Sequence, residues 1–395
     1  MYTSSMIIER DIYSKIKPVI GAPEVIVITG MRRVGKTTLL RYIMKEIKSE
    51  NKIFLDMENP SSQKYFEEEN YDKIVDNLKI LGLDLKKRSY VFIDEIQFAK
   101  NLPSVVKYLF DHYKIKFFLS GSSSYYLKNL FSESLAGRKY IFELFPLSFR
   151  EFMQIRDPKI NLYISSGQKT SQAIFGNLDR YYSEYILYGG FPGVVRKESI
   201  REKKAMLDDI FSSYFQLEVA QLGDFKKINV VRDLMLLLME RVGSRLDEQK
   251  LSRELQVSRI TINNYIAFLE STYFIKLIRP FSRNKDSEIR SAPKFYLCDS
   301  GLVNQFAKVN EGSLFENAVF SALRLKGEVN YYQKKSGVEI DFILDKKFAF
   351  EVKSRAYEQD MKRLSLLAKE LKLKGYKIIS RKYSNLRNVD YGFNL

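Results

Sequence analysis

Short apolar runs alternate with helical patterns between residues 25 and 145. The β-rich runs are Val25–Thr29, Lys52–Met57, Tyr90–Asp94, Lys116–Ser120 and Lys139–Leu144, and the helical segments between them include Lys36–Ser49 and Pro103–Tyr113. Alternation of strand and helix is typical of a parallel sheet covered on both faces. The pattern therefore predicts an α/β core over this part of the chain.

The pattern changes after residue 145. Residues 146–215 look helical with a break at Gly189–Gly193, and residues 216–285 are mostly helical before a possible strand pair near Phe274–Arg290. A β-rich pattern returns after that, with the elements Val338–Leu344, Phe348–Lys353 and a Lys-rich amphipathic helix at Glu358–Leu373. Because no repeat or low-complexity linker separates these parts, we expect four packed domains: residues 1–145, 146–215, 216–290 and 291–395.

A phosphate-binding loop follows the first predicted strand. Residues 30–37, Gly-Met-Arg-Arg-Val-Gly-Lys-Thr, fit the pattern G-x-x-x-x-G-K-[ST] between a strand and a helix. Glycines let the backbone curl so that its N–H groups face phosphate oxygens, and the helix N-terminus adds partial positive charge. We expect Lys36 to reach the β- and γ-phosphates and Thr37 to ligate Mg²⁺. The predicted nucleotide ligands are Gly30, Arg33, Val34, Gly35, Lys36, Thr37 and Thr38, and the alternative is an ordinary glycine-rich turn.

Two carboxylates end the third predicted strand, in the string Tyr90-Val-Phe-Ile-Asp94-Glu95. At this distance after a P-loop, we expect Asp94 to hold Mg²⁺ through water and Glu95 to polarise the attacking water. Strands often end in acids, so the string alone is a weak signal. Combined with the loop, it predicts a Mg²⁺-dependent nucleotide hydrolase.

Two further residues are candidates for a part in turnover. Ser122 follows the run Phe117–Ser120, where a polar side chain can orient the lytic water, and the alternative is a plain turn. Arg138 precedes the last β-rich run, and an arginine there can reach the γ-phosphate of a neighbouring subunit in a homo-oligomer. The alternative for Arg138 is a surface arginine.

Residues 1 to about 215 resemble the AAA+ ATPases, in particular a prokaryotic and archaeal group whose P-loop reads Gly-x-Arg-Arg-x-Gly-Lys-Thr. The strings that carry the resemblance are Gly30–Thr38, Phe92–Gln97, Leu119–Ser123, Glu133–Arg138 and Phe145–Phe149. Gly190-Phe-Pro192 is similar to a Gly-x-Pro element that lies near the nucleotide in related lids. The resemblance implies a helical lid over residues 146–215. It also implies ATP rather than GTP, since the sequence contains no Asn-Lys-x-Asp guanine motif.

Residues 251–270 read as a helix, a tight turn and a second helix. Ser258 is suited to cap the second helix, where four positions stay polar: Arg259, Thr261, Asn263 and Asn264. The apolar positions that this helix can bury are Ile262, Tyr265, Ile266 and Leu269. The arrangement suits a winged helix-turn-helix whose polar residues face a DNA major groove. The resembling ATPases commonly carry such a module, and the alternative is a winged helix that only packs between domains.

The two β-rich runs after residue 337 predict a β-hairpin. If Leu344 pairs with Phe348, then Asp341 and Glu351 face each other on one polar side of the ribbon, because a slip of one residue would mix the faces. Two close carboxylates can bind Mg²⁺ and activate water, while a lysine such as Lys353 can stabilise charge on a phosphate. The hairpin therefore offers the residue types of a metal-dependent nuclease.

The spacing of Asp341 and Glu351-Val-Lys353 resembles the PD-(D/E)xK nuclease pattern, in which a preceding helix supplies another acid. Glu316 fits that position. The resemblance implies a restriction-endonuclease-like α/β domain with Glu316, Asp341 and Glu351 as metal ligands and Lys353 as a nuclease lysine. The alternative is a structural hairpin in which Glu339 and Lys353 form a cross-strand salt bridge.

Composition narrows the chemistry. One cysteine rules out an intrachain disulfide, and one histidine rules out zinc fingers and disfavours a Ser-His-Asp triad. The net charge of +17 favours polyanions such as DNA or RNA, although a lysine-rich solvated surface explains it equally well. With no signal peptide pattern and no membrane-length apolar run, we expect a cytoplasmic protein without a membrane partner.

Together these features predict an ATP-hydrolysing protein that acts on nucleic acid and possesses the residue types for cutting it. The rival hypothesis is a signalling or scaffold switch, in which ATP changes the domain arrangement, a partner protein is the target and the nuclease-like domain is inactive. A basic stripe from the helix-turn-helix to the Asp341 face would favour the first. An acidic or apolar groove there would favour the second.

Overall fold

The computed structural model describes residues 8–99, 101–122, 135, 137–160, 170–220, 225, 227–282, 288, 291–334 and 336–395. The chain divides into two compact units. The first unit comprises residues 1–145 and 271–273, and the second comprises residues 146–270 and 274–395. Within the described ranges, none of the helices has both the length and the apolar character needed to cross a bilayer.

Five parallel strands form the sheet of the first unit. They are β1 (Val25–Thr29), β2 (Lys52–Asp56), β3 (Ser89–Asp94), β4 (Ile115–Gly121) and β5 (Lys139–Glu143). Their order across the sheet is β2-β3-β4-β1-β5, and every neighbouring pair is parallel. The predicted parallel sheet is confirmed. All five residues of β1 are buried, as expected for an inner strand of a sheet with helices on both faces.

Helices surround this sheet and supply much of its core. They are α1 (Tyr13–Ile16), α2 (Lys36–Glu46), α3 (Pro60–Gln63), α4 (Tyr71–Ile80) and α5 (Leu102–His112). The buried side chains of α5 fall three or four residues apart, at Leu102, Val105, Val106 and Leu109. This spacing places them on one face of the helix. They join a core cluster with β1, β3 and β4.

The second unit begins with a helical region. Its helices are α6 (Phe149–Arg156), α7 (Gln172–Tyr188), α8 (Pro192–Val195), α9 (Ile200–Tyr214) and α10 (Ile228–Glu240). Capping boxes define the start of α6, where Ser148 and Glu151 exchange hydrogen bonds, and of α9, where Ser199 and Glu202 do the same. The predicted break at residues 189–193 covers the turn between α7 and α8 and the first two residues of α8.

A helix-turn-helix and a short ribbon follow. They consist of α11 (Glu248–Glu254), α12 (Arg259–Ser271), β6 (Ile275–Ile278) and β7 (Lys294–Leu297). Strands β6 and β7 pair antiparallel. The second strand of the predicted pair therefore lies after residue 293, not before Arg290, which is outside the described residues. This ribbon crosses the expected domain boundary at residue 290, because its two strands are separated by fifteen residues whose local pattern does not reveal the pairing.

The C-terminal part is a mixed five-stranded sheet with helices. The strands are β8 (Val329–Gln333), β9 (Glu339–Leu344), β10 (Phe348–Lys353), β11 (Gly375–Ser380) and β12 (Val389–Asp390), in the order β12-β11-β10-β9-β8. The helices are α13 (Ser300–Phe306), α14 (Glu311–Leu323) and α15 (Glu358–Glu370). Leu364 and Leu367 of α15 pack with Ile340, Ile343 and Ile378 of the sheet. The amphipathic pattern of α15 thus covers one face of the hairpin.

Candidate functional site

The loop after β1 has the backbone shape that its glycines were expected to give. A Cβ on Gly30 would lie 2.1 Å from the carbonyl oxygen of Leu144, so this position excludes any side chain. Gly35 has φ 97° and caps the N-terminus of α2. Arg33 also has positive φ and is exposed like Thr38, whereas Val34 is buried. The loop therefore curls between β1 and α2 as a P-loop requires.

Lys36 and Arg10 fix the loop from two sides. The buried Lys36 Nζ donates hydrogen bonds to the carbonyl oxygens of Gly30 and Met31, at 3.0 and 3.1 Å. The buried Arg10 guanidinium donates to the Val34 carbonyl at 2.8 Å and to the Phe145 carbonyl at 2.7 Å. Sequence reasoning missed Arg10, because a lone arginine 20 residues before the motif gives no local signal.

Asp94 lies against the start of α2. Burial raises the pKa of its carboxyl group, while hydrogen bonds from Ser120 and Thr37 and the charge of Lys36 oppose that increase. The Thr37 hydroxyl therefore lies close enough to the Asp94 carboxylate to lower its pKa. An adjacent hydroxyl and carboxylate are the oxygen donors that Mg²⁺ prefers, so the residues present fit this ion.

Glu95 is connected to Ser122 through Gln97. The Gln97 amide nitrogen donates hydrogen bonds to Glu95 Oε2 and, at 3.2 Å, to Ser122 Oγ. Within the described residues, the buried Gln97 Oε1 has no hydrogen-bond partner. Ser122 is buried beside this amide rather than in an open turn. The sequence pattern did not predict a role for Gln97 or Ser120, the two further polar residues of this site.

Arg138 lies at the amino-terminal end of the parallel strands, opposite the P-loop. Its main-chain carbonyl accepts a hydrogen bond from Val25 N, which places it beside the amino end of β1, whereas the P-loop follows the carboxyl end. A five-residue strand spans about 16 Å. The Arg138 side chain forms an ion pair with Asp111 at 2.9 Å and is partly exposed. Within one chain it is therefore distant from the P-loop, and its action on a neighbouring subunit stays a prediction.

Two of the strings that suggested the AAA+ resemblance extend beyond the described residues. Ser123, Glu133, Ser134 and Ala136 belong to this part of the chain. The description of the nucleotide site therefore uses only the residues of these strings that the structure describes.

The helix-turn-helix buries the side that its pattern predicted. Ser258 Oγ accepts a hydrogen bond from Thr261 N at 3.1 Å, as a helix N-cap does. The predicted apolar positions of α12 are all buried, and Phe268 is buried with them. Arg259, Asn263 and Asn264 are exposed, but Arg259 Nε forms an ion pair with Glu248 at 2.8 Å. The exposed positions of α12 therefore include polar side chains that are partly engaged within the chain, together with Ile260, which is 74% exposed.

The hairpin of β9 and β10 has the predicted register over its first part. Leu344 pairs with Phe348 and Phe342 pairs with Phe350. The ladder between the two strands ends there, and Val352 N donates to a side-chain oxygen of Asp341 at 2.7 Å. The carboxylate thus takes a hydrogen bond that a continued ladder would have given to a backbone carbonyl.

Each acid near this hairpin has a partner within the chain. Lys353 Nζ lies 2.9 Å from Glu351 Oε1, which also accepts a hydrogen bond from Arg363. Among the described residues, Glu339 does not form the cross-strand ion pair with Lys353 that the structural alternative required. Glu339 instead forms an ion pair with Lys294 at 3.5 Å. On α14, Glu316 accepts a hydrogen bond of 2.6 Å from the Tyr296 hydroxyl.

The three predicted metal ligands influence one another electrostatically. Burial raises the pKa of Glu316 to about 7 and that of Glu351 to about 6, and the charge of Asp341 adds to both increases. Burial also raises the pKa of Asp341, while the charges of Lys294 and Lys353 oppose that increase. Over the part of the chain that the structure describes, no group of three or more His, Cys, Asp or Glu side chains is arranged to hold a metal ion.

The Gly-x-Pro element is anchored by a residue that the sequence did not indicate. The buried Asp299 carboxylate accepts a hydrogen bond from Gly190 N at 2.7 Å and another from Gly301 N at 2.8 Å. Burial raises the pKa of Asp299 to about 6, and these N–H groups oppose the increase. A Cβ on Gly189 would lie 1.8 Å from this carboxylate. Asp299 therefore fixes the turn between α7 and α8.

Comparisons with known proteins match separate parts of the chain to family models. Residues 22–153 match the family model of an AAA domain, and residues 179–313 and 311–392 match two domains of unknown function, DUF8612 and DUF4143. An uncharacterized protein of Methanocaldococcus jannaschii is 29% identical over 390 residues, covering 93% of this chain and 83% of that protein. One of Haemophilus influenzae is 27% identical over 354 residues, covering 85% and 84%.

Among solved structures, the Aeropyrum pernix ORC1 protein in complex with DNA aligns with 80% of this chain and 95% of its own. The sequence identity is 12% and the TM-score is 0.33, so this likeness supports no inference about the present chain. The AAA match and the sheet around the P-loop confirm the predicted P-loop AAA+ core. The winged-helix and nuclease-like interpretations stay predictions.

Proposed function

We propose that this chain is a Mg²⁺-dependent ATPase whose second unit engages nucleic acid. The observation that carries the ATPase proposal is the contact of Thr37 with Asp94 beside Lys36, in a region that matches an AAA domain. ATP is chosen over GTP because of the AAA match and because the sequence contains no guanine motif. No membrane partner is proposed.

In this mechanism the loop amides and the Lys36 ammonium hold the β- and γ-phosphates. Thr37 and Asp94 would hold Mg²⁺, which supplies positive charge to the phosphate oxygens when bound. Glu95 accepts a proton from the attacking water. The Gln97 amide orients Glu95 and Ser122, and a polar hydroxyl such as that of Ser122 orients the water.

The test compares ATP binding and hydrolysis in the native chain with two lysine variants. Lys36→Ala removes charge-assisted hydrogen bonds to phosphate, so ATP affinity should fall by about tenfold or more. Lys45→Ala removes an exposed lysine from the last turn of the same helix and should leave affinity unchanged. Equal ATP binding by all three proteins would refute the proposed site, and no hydrolysis by the native chain with Mg²⁺ would refute the activity.

In a homo-oligomer, Arg138 would act at the site of a neighbouring subunit. Its position at the amino end of β5 supports action between subunits, since this end of the sheet is opposite the P-loop. The ion pair with Asp111 would then have to open for the guanidinium to reach a γ-phosphate.

The nucleic-acid proposal is supported by the net charge of +17 and by the exposed polar side chains of Arg259, Asn263 and Asn264 on α12. A second candidate is an ATP-controlled switch that acts on a protein partner with an inactive nuclease-like domain. The observation that favours it is the engagement of all four acids near the hairpin by groups of the chain itself. Both candidates share the ATPase core and differ in the partner of the second unit.

A further inference from the structure

Lys294 is a buried lysine within the acidic cluster of the second unit. It belongs to β7, is 6% exposed and lies 3.5 Å from Glu339 Oε1. Its ammonium also lies 5.6 Å from the ring centre of Tyr331. A lysine taken out of water keeps its charge only where acids or an aromatic face replace the lost hydration. The acids around Lys294 therefore hold an ammonium group inside the protein.

The opposite side of the cluster has cations of its own. Glu351 is 2% exposed at its side chain and contacts both Lys353 and Arg363. Together with Lys294, these residues bring three fixed positive charges to a cluster of four acids: Glu316, Glu339, Asp341 and Glu351. Repulsion between buried carboxylates, which a divalent ion relieves in a metal site, is relieved here by side chains.

The arrangement does not fit a divalent metal ion. Such an ion needs several oxygen ligands that face a common point, yet Asp341 accepts a hydrogen bond from Val352 N and Glu316 accepts one from Tyr296. Among the cluster's carboxylate oxygens, Glu351 Oε2 is buried without a hydrogen-bond partner in the described part of the chain. The nearby ammonium and guanidinium groups of Lys294, Lys353 and Arg363 repel a further cation.

We propose that Lys294 is a built-in cation that takes the place of a metal ion in this cluster, so that the C-terminal fold neither needs a divalent ion nor recruits one. Removing the Lys294 charge should then leave unbalanced carboxylates that attract a cation. This inference does not depend on ATP hydrolysis, because it concerns only the second unit.

The experiment is a Mn²⁺ titration of the full-length chain without nucleotide, followed by the electron paramagnetic resonance signal of free Mn²⁺. All proteins carry Asp94→Asn to remove the metal ligand of the P-loop. We expect no bound Mn²⁺ with this background alone or with Lys308→Met, which removes an exposed lysine. Lys294→Met should gain one site at least about tenfold tighter than any residual binding, and adding Asp341→Asn should abolish the gain.

Two outcomes would overturn the proposal. One is a Mn²⁺ site in the protein with native Lys294 that Asp341→Asn weakens, and the other is a folded Lys294→Met protein that gains no site. Circular dichroism checks the fold of each variant. If Lys294→Met does not fold, the thermal midpoint of the protein with native Lys294 decides: it should be unchanged by a chelator, and a chelator-induced fall would refute the proposal.

Discussion

Single side chains in the first unit show how far a motif identifies a site. Lys36, Thr37 and Asp94 could be selected from the sequence because a P-loop pattern followed at this distance by a strand that ends in an acid is typical of a nucleotide site. Gln97 could not, because its position matters only once the chain places it between Glu95 and Ser122. Its amide donates to both, and no periodicity in the sequence records such a contact.

The role of Glu95 gives a prediction at this scale. Glu95→Gln keeps the size of the side chain and leaves Thr37 and Asp94 in place, so ATP binding should be retained. It removes the group that accepts a proton, so turnover should fall by about 100-fold or more. The measurement is the rate of phosphate release with saturating ATP and Mg²⁺. As a control, Glu69→Gln removes an exposed acid and should keep the native rate; native turnover by Glu95→Gln would contradict the assigned role.

At the scale of elements, local pattern succeeded where pairing is local. The start of the β9–β10 hairpin followed from alternation and a short loop, because these two features determine register. The β6–β7 ribbon did not follow, since its strands are distant in the sequence and its partner lies beyond the expected boundary. The hairpin ladder also ends at Phe350, where Asp341 takes the Val352 N–H, a side-chain contact that alternation cannot reveal.

Asp299 gives a prediction for the turn between α7 and α8. Its pKa is raised from 3.8 to about 6. Between pH 4 and pH 6 the Asp299 carboxyl group is therefore mostly protonated in the folded chain and mostly ionised in the unfolded chain. Stability from this group is therefore highest below pH 4 and falls as the pH rises to 6. Asp299→Asn cannot titrate, so the stability of the native chain relative to this variant should fall by up to about 3 kcal/mol across the window.

The thermal midpoints of both proteins at pH 4, 5, 6 and 7 measure this difference. Above about pH 7 the difference should level off, because the Asp299 carboxyl group is then largely ionised in both the folded and the unfolded chain. Asp233→Asn, at an exposed position of α10, serves as the control and should show no such trend. A difference between the native chain and Asp299→Asn that is constant with pH would show that the burial of Asp299 carries no such linkage.

For the whole molecule, the net charge of +17 predicts that the protein binds a polyanion such as DNA or RNA. Binding that neutralises several phosphates releases their counterions, so affinity should fall steeply as the salt concentration rises. The logarithm of the association constant against the logarithm of the salt concentration should have a slope of about −0.9 per phosphate contacted on duplex DNA. Fluorescence anisotropy with labelled DNA and RNA duplexes over a range of salt concentrations measures that slope. A solvated lysine-rich surface without a built interface would give weak binding that no single position controls.

A negative charge on α12 distinguishes an interface from a diffuse surface. Asn264→Glu places a carboxylate on the exposed face of the helix, where it would repel phosphates and weaken binding by about tenfold or more at low salt. Ser212→Glu adds the same charge at an exposed position of α9 and should have a much smaller effect. Equal effects of both variants would remove α12 as the interface. If the native chain binds neither duplex at low salt, nucleic acid is not the partner, and the ATP-controlled switch acting on a protein becomes the function that the charge-compensated C-terminal fold supports.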